Sequence, residues 1–310
     1  MPDHKHLQIS AKVKDEDKHT EDVTCIAYHK GKVYTGSDDC CIKVYDTNLN
    51  KIGEVEAHES SVFSVAASDE HLYSCSDEGT IKTFDLDTLK EESTVVKDEQ
   101  TEYWKLFYTD GYLYSGDNLG NVIVWKHGKE IGETNIAEPI RDLAVSGNFL
   151  FTVKHSDLVV TELHLDSIRI DEEMKRQIKF ASKAVHPGRA PLGLIGSKYV
   201  ACADRQEGKN IIVIENSDES HFKHFTKINN ASEMLINAIA GTEINGETVL
   251  FSGGWDRKLK KFRFEKDQVK LDCTSDVGFV INCIAVGESG EIYVGGSDGE
   301  LLRLEIEWKD

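Results

Sequence analysis

Proline is scarce in this chain, four in 310 residues, a composition that predicts no long disordered tail. Long apolar runs are missing too. No window reaches the ~18 apolar residues of a spanning helix, and the start MPDHKHLQIS holds no apolar stretch, so no signal peptide is expected. Seven cysteines, at 25, 40, 41, 75, 202, 273 and 283, show no CxxC spacing. That pattern predicts neither a disulfide framework nor a zinc site and favours a reducing compartment, the cytoplasm or the nucleus. There is no GxSxG, no glycine-rich phosphate loop before a helix and no His/Glu metal signature. Neither catalytic residues nor a cofactor nor a metal is therefore expected. Positive charge is short: 36 Lys and Arg face 55 Asp and Glu, a formal net charge of −19. Such a surface repels nucleic-acid phosphates and anionic lipid, so neither partner is expected. It steers basic partners and suppresses self-association, which predicts a monomer.

What the chain does have is a segment that returns seven times. Its middle pieces run VYTGSDDCCIKVYD (33–46), LYSCSDEGTIKTFD (72–85), LYSGDNLGNVIVWK (113–126), LFTVKHSDLVVTEL (150–163), VACADRQEGKNIIVIE (200–215), LFSGGWDRKLKKFR (250–263) and IYVGGSDGELLRLE (292–305). An apolar strand precedes each one. With Val23, Val62, Tyr103, Ile140, Leu192, Ile236 and Ile281 as equivalent anchors, the steps are 39, 41, 37, 52, 44 and 45 residues. That is the length of a four-stranded propeller blade and too short for a βαβ unit. Turns rich in Gly, Asp, Asn and Ser between short strands agree.

The pattern resembles the WD40-repeat family, most closely in Gly-Gly-Trp255-Asp256-Arg257-Lys258-Leu259 and in Gly-Ser-Asp38-Asp39 followed by Ile42-Lys43-Val44-Tyr45-Asp46. The resemblance covers nearly the whole chain and implies an all-β, seven-bladed propeller of four-stranded antiparallel blades, one domain over 1–310. The last repeat stops after three strands, at Trp308, whereas residues 6–13 alternate like a strand. Residues 1–18 are therefore expected to complete the last blade and remove an exposed sheet edge. The one long departure, 166–191, is expected to be a solvated loop between the fourth and fifth blades, with 177–181 available as the fourth blade's outer strand.

The resemblance also assigns a structural hydrogen-bond cluster to each blade. It would comprise His19, Thr35, Asp39 and Tyr45 in the first repeat, His58, Ser74 and Glu78 in the second, and Ser252 and Asp256 in the sixth. Asp157 and Asp298 would be turn carboxylates in the fourth and seventh. A carboxylate that accepts from an imidazole or a backbone N–H holds a tight turn, so these acids read as structural rather than catalytic.

Two further sets are expected to ring the narrower face, where similar propellers receive peptides. The residue after each anchor gives Thr24, Phe63, Trp104, Arg141, Asn237 and Asn282, with the fifth blade left open. The turn position before the blade acid includes Asp38, Asp77, Glu207 and Trp255. Aromatic and arginine side chains carry interface energy when clustered, and the rim acids suit a basic segment. The expectation is a non-catalytic protein-binding adaptor. Alternatives are a substrate-recognition subunit of a ubiquitin ligase and, further off, an enzyme acting on a small molecule in the central channel. Against the ligase reading, no third strand ends in Trp-Asp-x-Arg.

Overall fold

The computed structural model describes residues 5–96, 100–136, 138–170, 176–266 and 268–308. Among them, 28 strands form seven four-stranded antiparallel blades. Blade 1 runs Val23–His29, Lys32–Ser37, Cys41–Asp46 and Lys51–Glu56, from the channel outwards. Blades 2 to 6 repeat the order, with first strands at Val62–Ala67, Tyr103–Thr109, Asp142–Ser146, Arg189–Ile195 and Ile236–Ile244. Blade 7 contributes Ile281–Val286, Ile292–Gly296 and Leu301–Trp308. Its outer strand is Lys5–Lys12, antiparallel to Leu301–Trp308 with Leu7 opposite Ile306. The chain closes by its N-terminal strand.

The core follows from this geometry. Second and third strands are covered on both faces by neighbouring blades, so they read as nearly continuous apolar runs. Outer strands are half solvated and alternate, as Lys51–Glu56 does. Buried side chains fall into seven clusters among the described residues, one at each junction between adjacent blades. Glycine in the second strand sets the closest approach. A Cβ on Gly36 would stand 2.5 Å from Val62 Cγ1 of the next blade, and one on Gly116 2.6 Å from Ile140. The anchors Val23, Val62, Ile140 and Ile281 are therefore wedges seated on the glycines of the blade before them.

The described part of segment 166–191 is strand rather than loop, and 177–181 lies in the outer strand of blade 4 as expected. The third and fourth strands of blade 4 lengthen to Asp157–Ile170 and Arg176–Pro187 and pair as a long hairpin. Its register shifts between His164 and Ile168 and carry the hairpin onto blade 3, where Gln177 pairs in parallel with Glu133. Ile178 is buried there over Gly132, whose Cβ would meet Ile178 Cγ1 at 2.9 Å. A bulge at Lys183 and a wider irregularity beyond His164 break the period-two alternation, which is why the sequence reads as a loop. Residues 171–175, part of the expected loop, lie outside the described residues. Residues 189–191 already belong to the fifth blade.

Candidate functional site

In blades 1, 2, 3, 6 and 7 the first strand bulges directly after its anchor. The ladder skips one residue at Thr24, Phe63, Trp104, Asn237 and Asn282. A bulged residue leaves the pairing and re-aims its side chain, here into the mouth of the central channel, a cavity of about 480 Å³. In blade 4 the strand begins at Asp142, not Ile140, and Arg141 bonds through its N–H to Val153 O at 2.9 Å. In blade 5 the shift between Arg189 and Leu192 leaves Ala190 and Pro191 unpaired, and Pro191 lines the mouth. Pro191 is the fifth-blade member that equivalence counting left open.

The turns between second and third strands share this face. Backbone N–H groups of Asp38, Asn118, Trp255 and Ser297 donate to the carbonyls of Asp22, Glu102, Leu235 and Val280, each just before or at the start of its own blade's first strand. Asp38 and Glu207 are exposed, and Asp77, half-buried, accepts from Ser76 Oγ at 3.1 Å.

A belt of contacts stitches neighbouring blades around the mouth. Thr24 Oγ1 lies 3.0 Å from Gly36 O and also reaches Val62 O of blade 2. Leu106 N donates to Ser64 Oγ at 3.1 Å. Lys105 Nζ sits 3.1 Å from Asp142 Oδ1, and Leu192 N donates to Asp142 Oδ2 at 2.8 Å. Asn237 Nδ2 donates to Ile281 O at 3.2 Å, and Asn282 Nδ2 reaches Asp22 Oδ2 at 3.5 Å. Thr24, Asn237 and Asn282 thus spend their polar groups on blade-to-blade bonds. Burial alone would lower the Lys105 ammonium, but Asp142 beside it outweighs burial and raises it, so the lysine stays charged. Burial pushes the Cys25 thiol up to about 11 and raises Cys75 and Cys283 as well. These thiols are protonated and unreactive at neutral pH.

Trp104 and Arg141 behave differently. The Arg141 guanidinium lies 4.1 Å from the Trp104 ring centroid, and Trp104 Nε1 donates to Glu102 Oε2 at 2.9 Å. Arg141 is exposed, and its guanidinium makes no ion pair or hydrogen bond among the described residues. Its planar donors are held over an indole and left open to a carboxylate or carbonyl. Phe63 lines the same mouth. On the rim of blades 5 and 6, Trp255 is 50% exposed beside exposed Met234 and Leu235. Those two were not picked out from the sequence; the available signal was an apolar pair in a linker without strand alternation.

Away from the mouth lie the hydrogen-bond clusters. His19 Nδ1 is 2.9 Å from Asp39 Oδ2 and its Nε2 2.8 Å from Thr35 Oγ1, while Tyr45 OH donates to Asp17 O at 2.9 Å. Burial alone would raise the Asp39 carboxyl, but the imidazole and two backbone N–H groups outweigh it and hold it at about 2. His58 repeats the arrangement with Glu78 at 2.6 Å and Ser74 at 2.7 Å.

The later blades depart from the expectation. Ser252 is buried, and its hydroxyl has no hydrogen-bond partner among the described residues. In its blade Asp256 accepts instead from Lys260 Nζ at 2.7 Å and Ser232 Oγ at 2.8 Å; a cation from the third strand replaces the imidazole. The carboxylates of Asp157 and Asp298 hold no turn among the described residues. At Asp298 it is the backbone N–H that bonds, to Asp22 Oδ1 at 3.0 Å. In blades 3 and 5 the acid has moved to the end of the second strand. Asp117 accepts from the N–H groups of Leu119 and Asn121, and Asp204 from that of Asn210.

The model of the WD domain, G-beta repeat, matches residues 12–46 and 49–85. A WD repeat-containing protein 53 homolog of Dictyostelium discoideum is 24% identical over a 344-residue alignment that covers 93% of each chain. Among solved structures, the WD40 beta propeller domain of Doa1 aligns with a TM-score of 0.74 at 18% identity over 96% of both chains. U3-55K aligns with a TM-score of 0.76 at 13% identity, over 96% of this chain and 98% of its own.

Proposed function

We propose that this chain, a WD40-repeat β-propeller, is a non-catalytic adaptor that holds an extended protein segment across the mouth of its central channel. Propellers of this family generally mediate protein–protein interactions. The observation that carries the reading is the open Arg141 guanidinium stacked on Trp104 beside Phe63. A planar cation over an indole clamps a chain by stacking on one side and bidentate hydrogen bonding on the other. Around it, Asp38, Asp77 and Glu207 favour a segment that also carries Lys or Arg, and exposed Trp255, Met234 and Leu235 offer it an apolar rest.

The test is affinity capture from the protein's own cell extract, cross-linking of the captured partner, and association kinetics across ionic strength. The reading expects cross-links on the channel-mouth face and an on-rate that falls steeply with salt while dissociation changes less. Cross-links confined to the sides or the opposite face would overturn it. An on-rate indifferent to salt would remove the basic-segment part and leave the net charge a matter of solubility.

A further inference from the structure

The outer strand of blade 4 differs in chemistry from the acidic chain around it. From Arg176 to Pro187 it carries Arg176, Lys179 and Lys183 and no Asp or Glu. Lys183 is engaged, 3.0 Å from Glu162 Oε2 and 3.2 Å from Asp218 Oδ1. The side chains of Arg176 and Lys179 are exposed and make no ion pair or hydrogen bond among the described residues. Between and beside these cations stand exposed apolar groups, Phe180 at 44% and Val185 at 58%.

The backbone is open as well. Beyond Gln177, the edge that faces away from Asp157–Ile170 has no strand partner among the described residues. Lysine on an edge strand ordinarily guards against pairing, but a guard does not set an exposed phenylalanine and valine in the same strand. Successive side chains point to opposite faces, which puts Lys179 on one face and Phe180, with Arg176, on the other.

We propose that this edge receives an extended acidic segment of a partner protein, added as a further strand. Its backbone would pair with residues 178–182, ahead of the bulge at Lys183; an acidic side chain would meet Lys179 on one face, and an apolar side chain would cover Phe180 on the other, near Arg176. Acidic and apolar residues must then alternate in the partner. This second surface is independent of the channel mouth and prefers the opposite charge.

The probe is a short capped peptide alternating glutamate and valine, set against a peptide of the same composition with the glutamates in one block. Both are titrated against the full chain by fluorescence anisotropy. The alternating peptide is expected to bind about tenfold or more tightly than the block peptide. Arg176→Glu with Lys179→Glu, and separately Phe180→Ser, should each weaken it by about tenfold or more. Arg205→Glu with Lys209→Glu, an equal charge change in a blade 5 turn, should not. The milder Lys179→Ala, expected to weaken binding in the same direction, covers the case of a charge-reversed chain that fails to fold. Equal binding of the two peptides, retained binding by the Arg176 and Lys179 variants, or equal displacement by an oligothymidylate would each overturn the proposal. The last would mean that any polyanion suffices.

Discussion

Val23 Cγ1 of the first blade lies 2.8 Å from where a Cβ on Gly295 of the last blade would stand. The wedge-on-glycine contact that joins consecutive blades therefore also joins the two ends of the propeller. Gly295→Ala overfills that contact and is expected to cost about 1–3 kcal/mol, read from urea midpoints. A midpoint equal to that of the unaltered chain would mean that the closing junction is looser than its neighbours.

Closure also depends on the N-terminal strand. Leu7 is buried in the cluster between blades 6 and 7, and Val13 in the one between blades 7 and 1, with its N–H bonded to Leu301 O at 3.0 Å. Deleting residues 1–13 spares His19 but uncovers the edge of Leu301–Trp308. The expected loss is several kcal/mol, a large share of an ordinary domain's stability. Equal melting temperatures for the shortened and full chains would contradict closure by this strand.

Acid should find the first blade through Asp39. Its carboxyl is held at about 2 in the fold against an ordinary 3.8. A depressed carboxyl contributes stability that is present above the unfolded value and lost as pH falls through the folded one, here about 2 kcal/mol between about pH 4 and pH 2. Asp39→Asn should flatten that limb of the stability profile, measured by chemical unfolding at stepped pH. An unchanged slope would place the acid sensitivity elsewhere.

In blade 6 the Lys260–Asp256 pair is buried, whereas Lys258–Glu233 stands in solvent at 2.6 Å. Lys260→Ala strands a buried carboxylate and is expected to cost about 3 kcal/mol or more. Lys258→Ala should stay below about 1 kcal/mol, because water screens the exposed pair. Equal costs would mean that Lys260 is not the replacement for the imidazole of blades 1 and 2.

Much of this was legible in the sequence, for physical reasons that differ from element to element. Anchors such as Val62 and Ile281 could be aligned because each must fit the glycine of the preceding blade, Gly36 or Gly253. Trp104 and Arg141 could be placed side by side because both follow an anchor in adjacent repeats. The acid acceptors were harder. Asp117 and Asp204 do the work of a turn carboxylate from the end of the second strand, since a short side chain reaches the same N–H groups from either place. Lys260 was hidden because a long cation on the third strand fills the space that a histidine fills from before the first. Residues 177–181 were legible as the outer strand of blade 4, but the length of the hairpin was hidden because its bulges erase the alternation that marks a strand.

The most direct test of the account is the affinity of a captured partner for the unaltered chain, Trp104→Ala and Arg141→Ala, each variant first shown to melt normally. Binding across the channel mouth predicts a loss of about 2 kcal/mol or more from either substitution, roughly thirtyfold in dissociation constant. Arg141→Ala should leave folding almost untouched, since an exposed guanidinium supports no core. Unaltered affinity in both variants would contradict the account and move the binding surface to another face of the propeller.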